Sequence, residues 1–155
     1  MTASSDIASQ IAALPIRWDK AGKLRVLMVT SRDRGRWVMP KGWLMDGKKP
    51  WRAAEIEALE EAGATGFISK RAIGTYHYDK VLDDGTHLPC EVTLFPMVVG
   101  KLKRRWKERA ERKRHWFAPK KAARMVEEKE LSKLLMDLAD KPQRRAEIEK
   151  LRKAA

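Results

Sequence analysis

Three glutamates, Glu57, Glu60 and Glu61, crowd the end of the segment PKGWLMDGKKPWRAAEIEALEEAGATG, residues 40–66. Their i, i+3, i+4 spacing puts all three on one face of a helix. Like charges so spaced oppose helix formation by roughly 0.2–0.5 kcal/mol per pair. Carboxylates in a last turn also oppose the helix dipole, by about 0.3–1 kcal/mol each. The other end is equally at odds with the dipole, because Lys48 and Lys49 bring positive charge to the N-terminus. A solvated acidic face is the plain alternative, but such faces usually alternate in sign. Local rules broken together without local compensation point to a functional site. A divalent cation among the three carboxylates would remove the repulsion. Hard oxygen donors with positions left for water and phosphate suit Mg2+ or Mn2+.

The elements that position these carboxylates can be read from pattern. Pro50 suits a first helical position and Gly63 the residue just past the end, so 50–62 is a helix. Before it, the apolar runs 11–18 and 24–31 flank DKAGK and read as two strands. Pro15 makes the first an edge strand. RWVMP, 36–40, is a short third strand. After the helix, the runs 67–82 and 87–102 flank DDGT and read as one long hairpin. Trp116 and Phe117 form a short strand, and PKKAARMVE opens a helix. Leu131, Leu134, Leu135 and Leu138 recur at helical spacing over 127–140. The organisation is a loose tail at 1–9, one domain at 10–141 and a C-terminal helix at 142–155.

Composition narrows the partners. The 155 residues carry 34 Lys and Arg against 21 Asp and Glu, a net charge of +13, which favours an anionic partner. Residues 101–116 hold nine of those cations with Trp106 and Trp116 between them. Such a loop can solubilise, grip polyphosphate, or bind nucleic acid by stacking bases on its tryptophans. Glu108 and Glu111 within it are counter-charges or a further metal ligand. His77, His87 and His115 lack metal-ligand spacing. Cys90 is the only cysteine, which excludes an internal disulfide framework and suggests a reducing, cytoplasmic setting. No stretch approaches the roughly 20 apolar residues of a membrane span, so no membrane partner is expected. The start, MTASSDIASQ, has no basic flank or apolar core of a secretory signal.

The glutamate segment resembles the Nudix box, G-x5-E-x7-R-E-U-x-E-E-x-G-U, where U is aliphatic. Gly42, Glu57, Ala58, Glu60, Glu61, Gly63 and Ala64 match. Lys48 stands where the first Glu is expected and Ile56 where the Arg is expected. Within Nudix hydrolases, ALPIR (13–17), TSR with RWVMPKGW (30–43) and RKRHWF (112–117) are most similar to diphosphoinositol polyphosphate and diadenosine polyphosphate phosphohydrolases.

That resemblance implies an α/β/α sandwich around a mixed sheet and metal-dependent hydrolysis of a phosphoanhydride in a nucleoside- or inositol-linked diphosphate. It implies Glu57, Glu60 and Glu61 as metal ligands with a carbonyl of Lys41 or Gly42, and Glu60 as the general base, a role that moves between Glu57 and Glu60 among family members. It implies Arg17, Ser31, Arg32, Lys41, Arg112, Lys113 and Arg114 as contacts to a small, highly phosphorylated substrate. Lys48 and Ile56 replace residues of opposite charge together, which costs less than losing one partner. They reduce the support around the metal. The alternative class is a Nudix-fold binding module for RNA or another polyanion with weak or no catalysis.

Overall fold

The computed structural model describes residues 7–140 and 142–155, with backbone alone for 142–145. Eight strands form one mixed sheet: β1 (Ala8–Trp18), β2 (Leu24–Thr30), β3 (Trp37–Val38), β4 (Lys41–Trp43), β5 (Ala64–Ile68), β6 (Gly74–Val81), β7 (His87–Leu102) and β8 (Arg114–Phe117). The helices are α1 (Pro50–Ala62), α2 (Pro119–Met125), α3 (Lys129–Asp140) and α4 (Pro142–Ala154). The main path is β3-β2-β1-β7-β5, with β4 on β1, β6 on β7 and β8 on β2. Only β1 and β7 pair in parallel.

β1 is the centre of the sheet, not the edge that Pro15 suggested. It runs beside β7 from Ala8 to Ile16. Its other flank is shared by β4 at Gln10–Ala12 and β2 at Ile16–Trp18. Ala13 donates its N–H to the Pro40 carbonyl on that flank. Successive N–H groups alternate sides, so the missing N–H of Pro15 falls at the junction where β4 has ended and β2 begins. The strand also starts within the stretch read as a tail: Ala8 pairs with Cys90 and Ser9 with Glu91. Residues 1–6 of that tail lie outside the described residues. The arm expected at 67–82 is two strands, β5 and β6, which pair in turn with the long β7.

Residues of β1 alternate between two cores. Ala12, Leu14 and Ile16 pack with Leu131, Leu135 and Leu138 of α3 and Ile148 of α4. Ile11 and Ala13 pack with Ala53, Ala54, Ala58 and Ala62 of α1. The alanines let α1 lie close to the sheet. The helix is inverted in polarity: Leu59 is exposed while Glu61 is only 6% exposed.

The end of α1 is closed by the basic loop. Glu108 N–H donates to the Glu60 carbonyl, Trp106 Nε1 to Glu61, Arg114 Nη1 to Ala62 and Lys103 N–H to Gly63. A helix leaves its last carbonyls without intrahelical donors, and here one loop supplies them. Gly63 turns the chain with φ 66°, and any Cβ there would meet Arg114 and Trp106 at 2.9 Å. Arg114 also lies over the Trp106 ring, 3.9 Å from its centroid. On the opposite face of the sheet, His77 ties β6 to α3. Its Nδ1 lies 2.9 Å from Glu130 Oε1 and its Nε2 3.0 Å from Glu91 Oε2.

Two outcomes test this description. Trp106→Phe keeps an aromatic ring but removes the Nε1–H hydrogen bond, for an expected loss of at least about 0.5–1.5 kcal/mol. Gly63→Ala adds left-handed strain of about 1–2 kcal/mol to a steric clash, so it should lose more. Denaturant melts that match the parent for both variants would show that the loop does not hold the helix. The hydrogen bond that the His77 ring donates to Glu130 raises the His77 pKa above its ordinary 6.5, with Glu91 adding to it. A raised folded pKa contributes stability below the unfolded value and loses it as pH rises through the folded value. An NMR titration should place the His77 midpoint above 6.5, and Glu130→Gln should bring it down. An unmoved midpoint in that variant contradicts the pairing.

Candidate active site

The carboxylates meet where α1 passes β4. Gly42 of β4 faces Glu57, and a Cβ at Gly42 would overlap the Glu57 carboxyl group. Lys41 N–H donates to Glu61 Oε1 at 3.3 Å. Burial pushes the Glu57 carboxyl up to about 8, helped by the charge and hydrogen bond of Glu61 and by the charges of Glu60 and Glu108. Glu61 is also raised by burial, against the pull of Arg112 and Lys41. Glu60 sits at the rim, with Lys107 Nζ 3.5 Å from its Oε2.

Arg112 binds this cluster together from below. Its Nε donates to Glu108 Oε1 at 2.8 Å, its Nη1 to the Thr30 carbonyl at 3.0 Å, and its Nη2 lies 3.5 Å from Glu61 Oε2. Its side chain is only 8% exposed. The loop geometry follows from β8, whose start is tied to β2 by Thr30 N–H to the Lys113 carbonyl and Lys113 N–H to Thr30 Oγ1.

Of the expected substrate contacts, the structure brings some together and turns others away. Arg112 and Arg114 are committed to Glu61, Glu108 and the α1 carbonyls rather than presented outward, because the carboxylates and orphan carbonyls need those donors. Lys113 is exposed beside them. Arg32 is exposed and lies 3.4 Å from the exposed Glu111, which is its counter-charge, whereas Glu108 pairs with the buried Arg112 beside Glu61. Ser31 organises the turn before β3, its Oγ accepting Arg36 N–H at 3.2 Å. Lys41 sits with its ammonium over the Tyr78 ring, 5.0 Å from the centroid, and burial lowers its pKa. Arg17 stacks on Trp116 at 4.1 Å and lies five residues along β1 from Ala12, the partner of Lys41, or about 16 Å. It is therefore outside the cluster. Lys48 is exposed in the turn before α1 and Ile56 is half-buried. The cations beside the carboxylates come from Lys41, Lys107 and Arg112 instead.

Among the described residues, no group of three or more His, Cys, Asp or Glu side chains stands gathered as a metal cage. The donor set nonetheless fits a hard divalent cation: Glu57 crowds against Gly42, Glu61 accepts the neighbouring Lys41 N–H, and burial and like charge both penalise their ionised forms. Sequence reading gave Trp106 a base-stacking role rather than the structural one it has here, and did not single out Lys107. Neither has a local signature, since both act through a helix end some forty residues earlier. The three outward arginines of the loop, Arg104, Arg105 and Arg109, line a cavity of about 480 Å3.

A family model described as the NUDIX domain matches residues 8–138. The chain is 34% identical over 107 residues to "Nudix hydrolase 12, mitochondrial" of Arabidopsis thaliana, covering 67% of this chain and 53% of that protein. It thus spans about half the length of that curated relative. Among solved structures, an Ap4A hydrolase of C. elegans superposes with a TM-score of 0.63 at 21% identity, covering 86% of this chain and 96% of the other. The NUDIX domain of Shewanella oneidensis NrtR, solved with ADP ribose, gives 0.61 at 12% identity, covering 88% and 98%. These likenesses carry the fold. With seven positions of the box placed around one carboxylate cluster and the family model spanning both cores, the chain belongs to the NUDIX domain family.

Proposed function

We propose that this chain is a hydrolase of phosphoanhydride bonds in a highly phosphorylated nucleoside- or inositol-linked diphosphate, dependent on Mg2+ or Mn2+. The observation that carries the reading is the packing of Glu57 against Gly42 beside Glu61, which accepts the Lys41 N–H, with Glu60 at the rim and Glu108 behind. Glu57 and Glu61, with a carbonyl of Lys41 or Gly42, would hold the cation, which supplies charge neutralisation for the phosphoanhydride. Glu60 accepts the proton of the attacking water as its oxygen bonds to phosphorus and the bridging oxygen departs with its electron pair. Lys41, beside Glu61, and the exposed Arg32 orient the anionic substrate. Polyphosphate contact passes from Arg112 and Arg114, which hold the helix end, to Arg104, Arg105 and Arg109. These three have no carboxylate partner among the described residues.

The RNA-binding alternative draws on the same arginines, with each tryptophan already engaged on one ring face. Trp106 carries Arg114 on its ring and Trp116 carries Arg17, so neither offers a free face for stacking on both sides. No described helix is long and apolar enough to cross a membrane. A reducing compartment, read from the single buried Cys90, belongs to the same proposal.

Phosphate release from a panel of nucleoside and inositol diphosphates, with and without Mg2+ or Mn2+, tests the reading. Glu60→Gln and Glu61→Gln should each cut turnover at least about a hundredfold while remaining folded, since a general base alone contributes roughly 10²–10⁴. Full activity in either variant removes that residue from the site. Neutralising Arg104, Arg105 and Arg109 together should raise KM for long polyphosphate substrates with little change in kcat, because remote charges bind ground and transition states alike. Added salt should mimic the triple variant. If the triple variant instead keeps its KM and loses only RNA affinity, the loop serves nucleic acid.

A further inference from the structure

Among the described residues, seven large apolar side chains stand exposed, and five of them gather at one end of the sheet: Ile7, Trp43, Leu44, Val81 and Leu82. The register explains why they meet. β4 runs antiparallel to β1, β6 runs antiparallel to β7, and β1 and β7 lie side by side in parallel. The end of β4, the starts of β1 and β7 and the end of β6 therefore share one end of the sheet, in the order β4-β1-β7-β6. At the usual strand spacing, β4 and β6 are about 14 Å apart across it. The end is stepped. Ala8 pairs with Cys90, whereas Val81 pairs with His87, three residues further out. The β6–β7 hairpin thus projects about 10 Å beyond Ala8. The exposed Pro89, one residue outward from Cys90 as Ile7 is from Ala8, fills the step between them.

Scattered exposed apolar residues need no explanation, but a cluster rimmed by charge marks an interaction surface. Here the rim carries opposite charge at its two ends. Beyond Leu44, the turn into α1 holds Lys48 and Lys49 against one acid, Asp46, and all three are exposed. The lysines stand at the positive pole of a helix that has no acidic residue in its first turn. Beyond Leu82, the hairpin turn holds Asp83 and Asp84, both exposed. No ion pair joins either lysine or either aspartate to another described residue. Such a strip is complementary to itself. Turned about a two-fold axis, the basic end of one copy meets the acidic end of the other, twice, with apolar strip against apolar strip.

We propose that this end of the sheet is a homodimer interface, in which a second copy of the chain covers the apolar strip and the acidic turn of each copy lies against Lys48 and Lys49 of the other. Charge selects a second copy over an unrelated partner. A foreign acidic protein would be steered to the loop that closes the other end of α1, where cations outnumber acids. At the stepped end the two signs nearly cancel, so two copies of a chain of net charge +13 can meet there, with their remaining charges screened over about 8–10 Å. Trp43 and Leu44 directly follow Gly42, so the contact braces the strand that faces Glu57. The inference is independent of the hydrolase reading.

Sedimentation equilibrium at micromolar to submillimolar protein is the test. The parent should approach twice its 17.8 kDa as concentration rises. Lys48→Glu with Lys49→Glu makes both ends of the strip acidic, and Asp83→Lys with Asp84→Lys makes both ends basic. Each variant alone should dimerise about a hundredfold more weakly, because like charges then face each other at both ends. An equimolar mixture of the two should dimerise again, since the mixed pair restores opposite charges at both ends. That recovery also shows that each variant is folded. Should either swap fail to fold, Val81→Asp takes its place: it leaves both charged turns intact, buries an unpaired charge in the strip and should abolish the dimer. A parent that stays at 17.8 kDa throughout overturns the proposal. So does a dimer that persists in Val81→Asp or in either swap, and so does a mixture of folded variants that remains monomeric.

Discussion

Four successive carbonyls at the end of α1, those of Glu60 to Gly63, need donors, and three carboxylates stand beside them. Both demands have the same sign. The helix end is already the negative pole of its dipole, and burial of Glu57 and Glu61 removes the water that would otherwise screen them. A short helix with an alanine face cannot meet that demand from its own sequence, and it has no basic residue in its last turn. The donors must come from elsewhere in the chain, and the loop between β7 and β8 brings them.

That loop explains the distribution of positive charge better than any single ligand does. Arg112 is inside the fold because Glu61, Glu108 and the Thr30 carbonyl all converge on it. Removing one partner of such a buried arrangement costs about 3–5 kcal/mol, whereas an exposed pair such as Arg32 with Glu111 is worth about 0–1 kcal/mol. Two arginines two residues apart, Arg112 and Arg114, thus hold the carboxylates and the helix end, while Arg104, Arg105 and Arg109 of the same loop remain turned to the outside. The sheet fixes the other wall. β4 is three residues long, and its alternation sends Gly42 toward α1 and Lys41 toward Tyr78.

Helix α1, its Gly63 stop, the leucine face of α3 and the Asp84–Gly85 turn were legible because each is fixed by residues near in sequence. The glutamate cluster was legible because it violates local rules that only a distant partner could mend. What escaped was the identity of that partner. Basic residues of one loop look alike in sequence, and nothing local distinguishes Arg112, drawn inward by Glu61, from Arg109, which is not. Pro15 misled for a related reason. Its missing N–H is harmless only because two strands divide one flank of β1 between them, a fact of topology.

The parallel pairing of β1 with β7 joins residues about eighty positions apart, from Ala8 with Cys90 to Ile16 with Val98. During synthesis, at roughly 5–20 residues per second, the central apolar strand leaves the ribosome about 4–16 s before its main partner exists. Only the short antiparallel contacts of β2 and β4 can shelter it in that interval. The loop that closes α1 follows later still. The nascent chain therefore completes its scaffold first and its acidic cluster last, which makes the waiting strand, rather than the crowded carboxylates, the point where aggregation competes with folding.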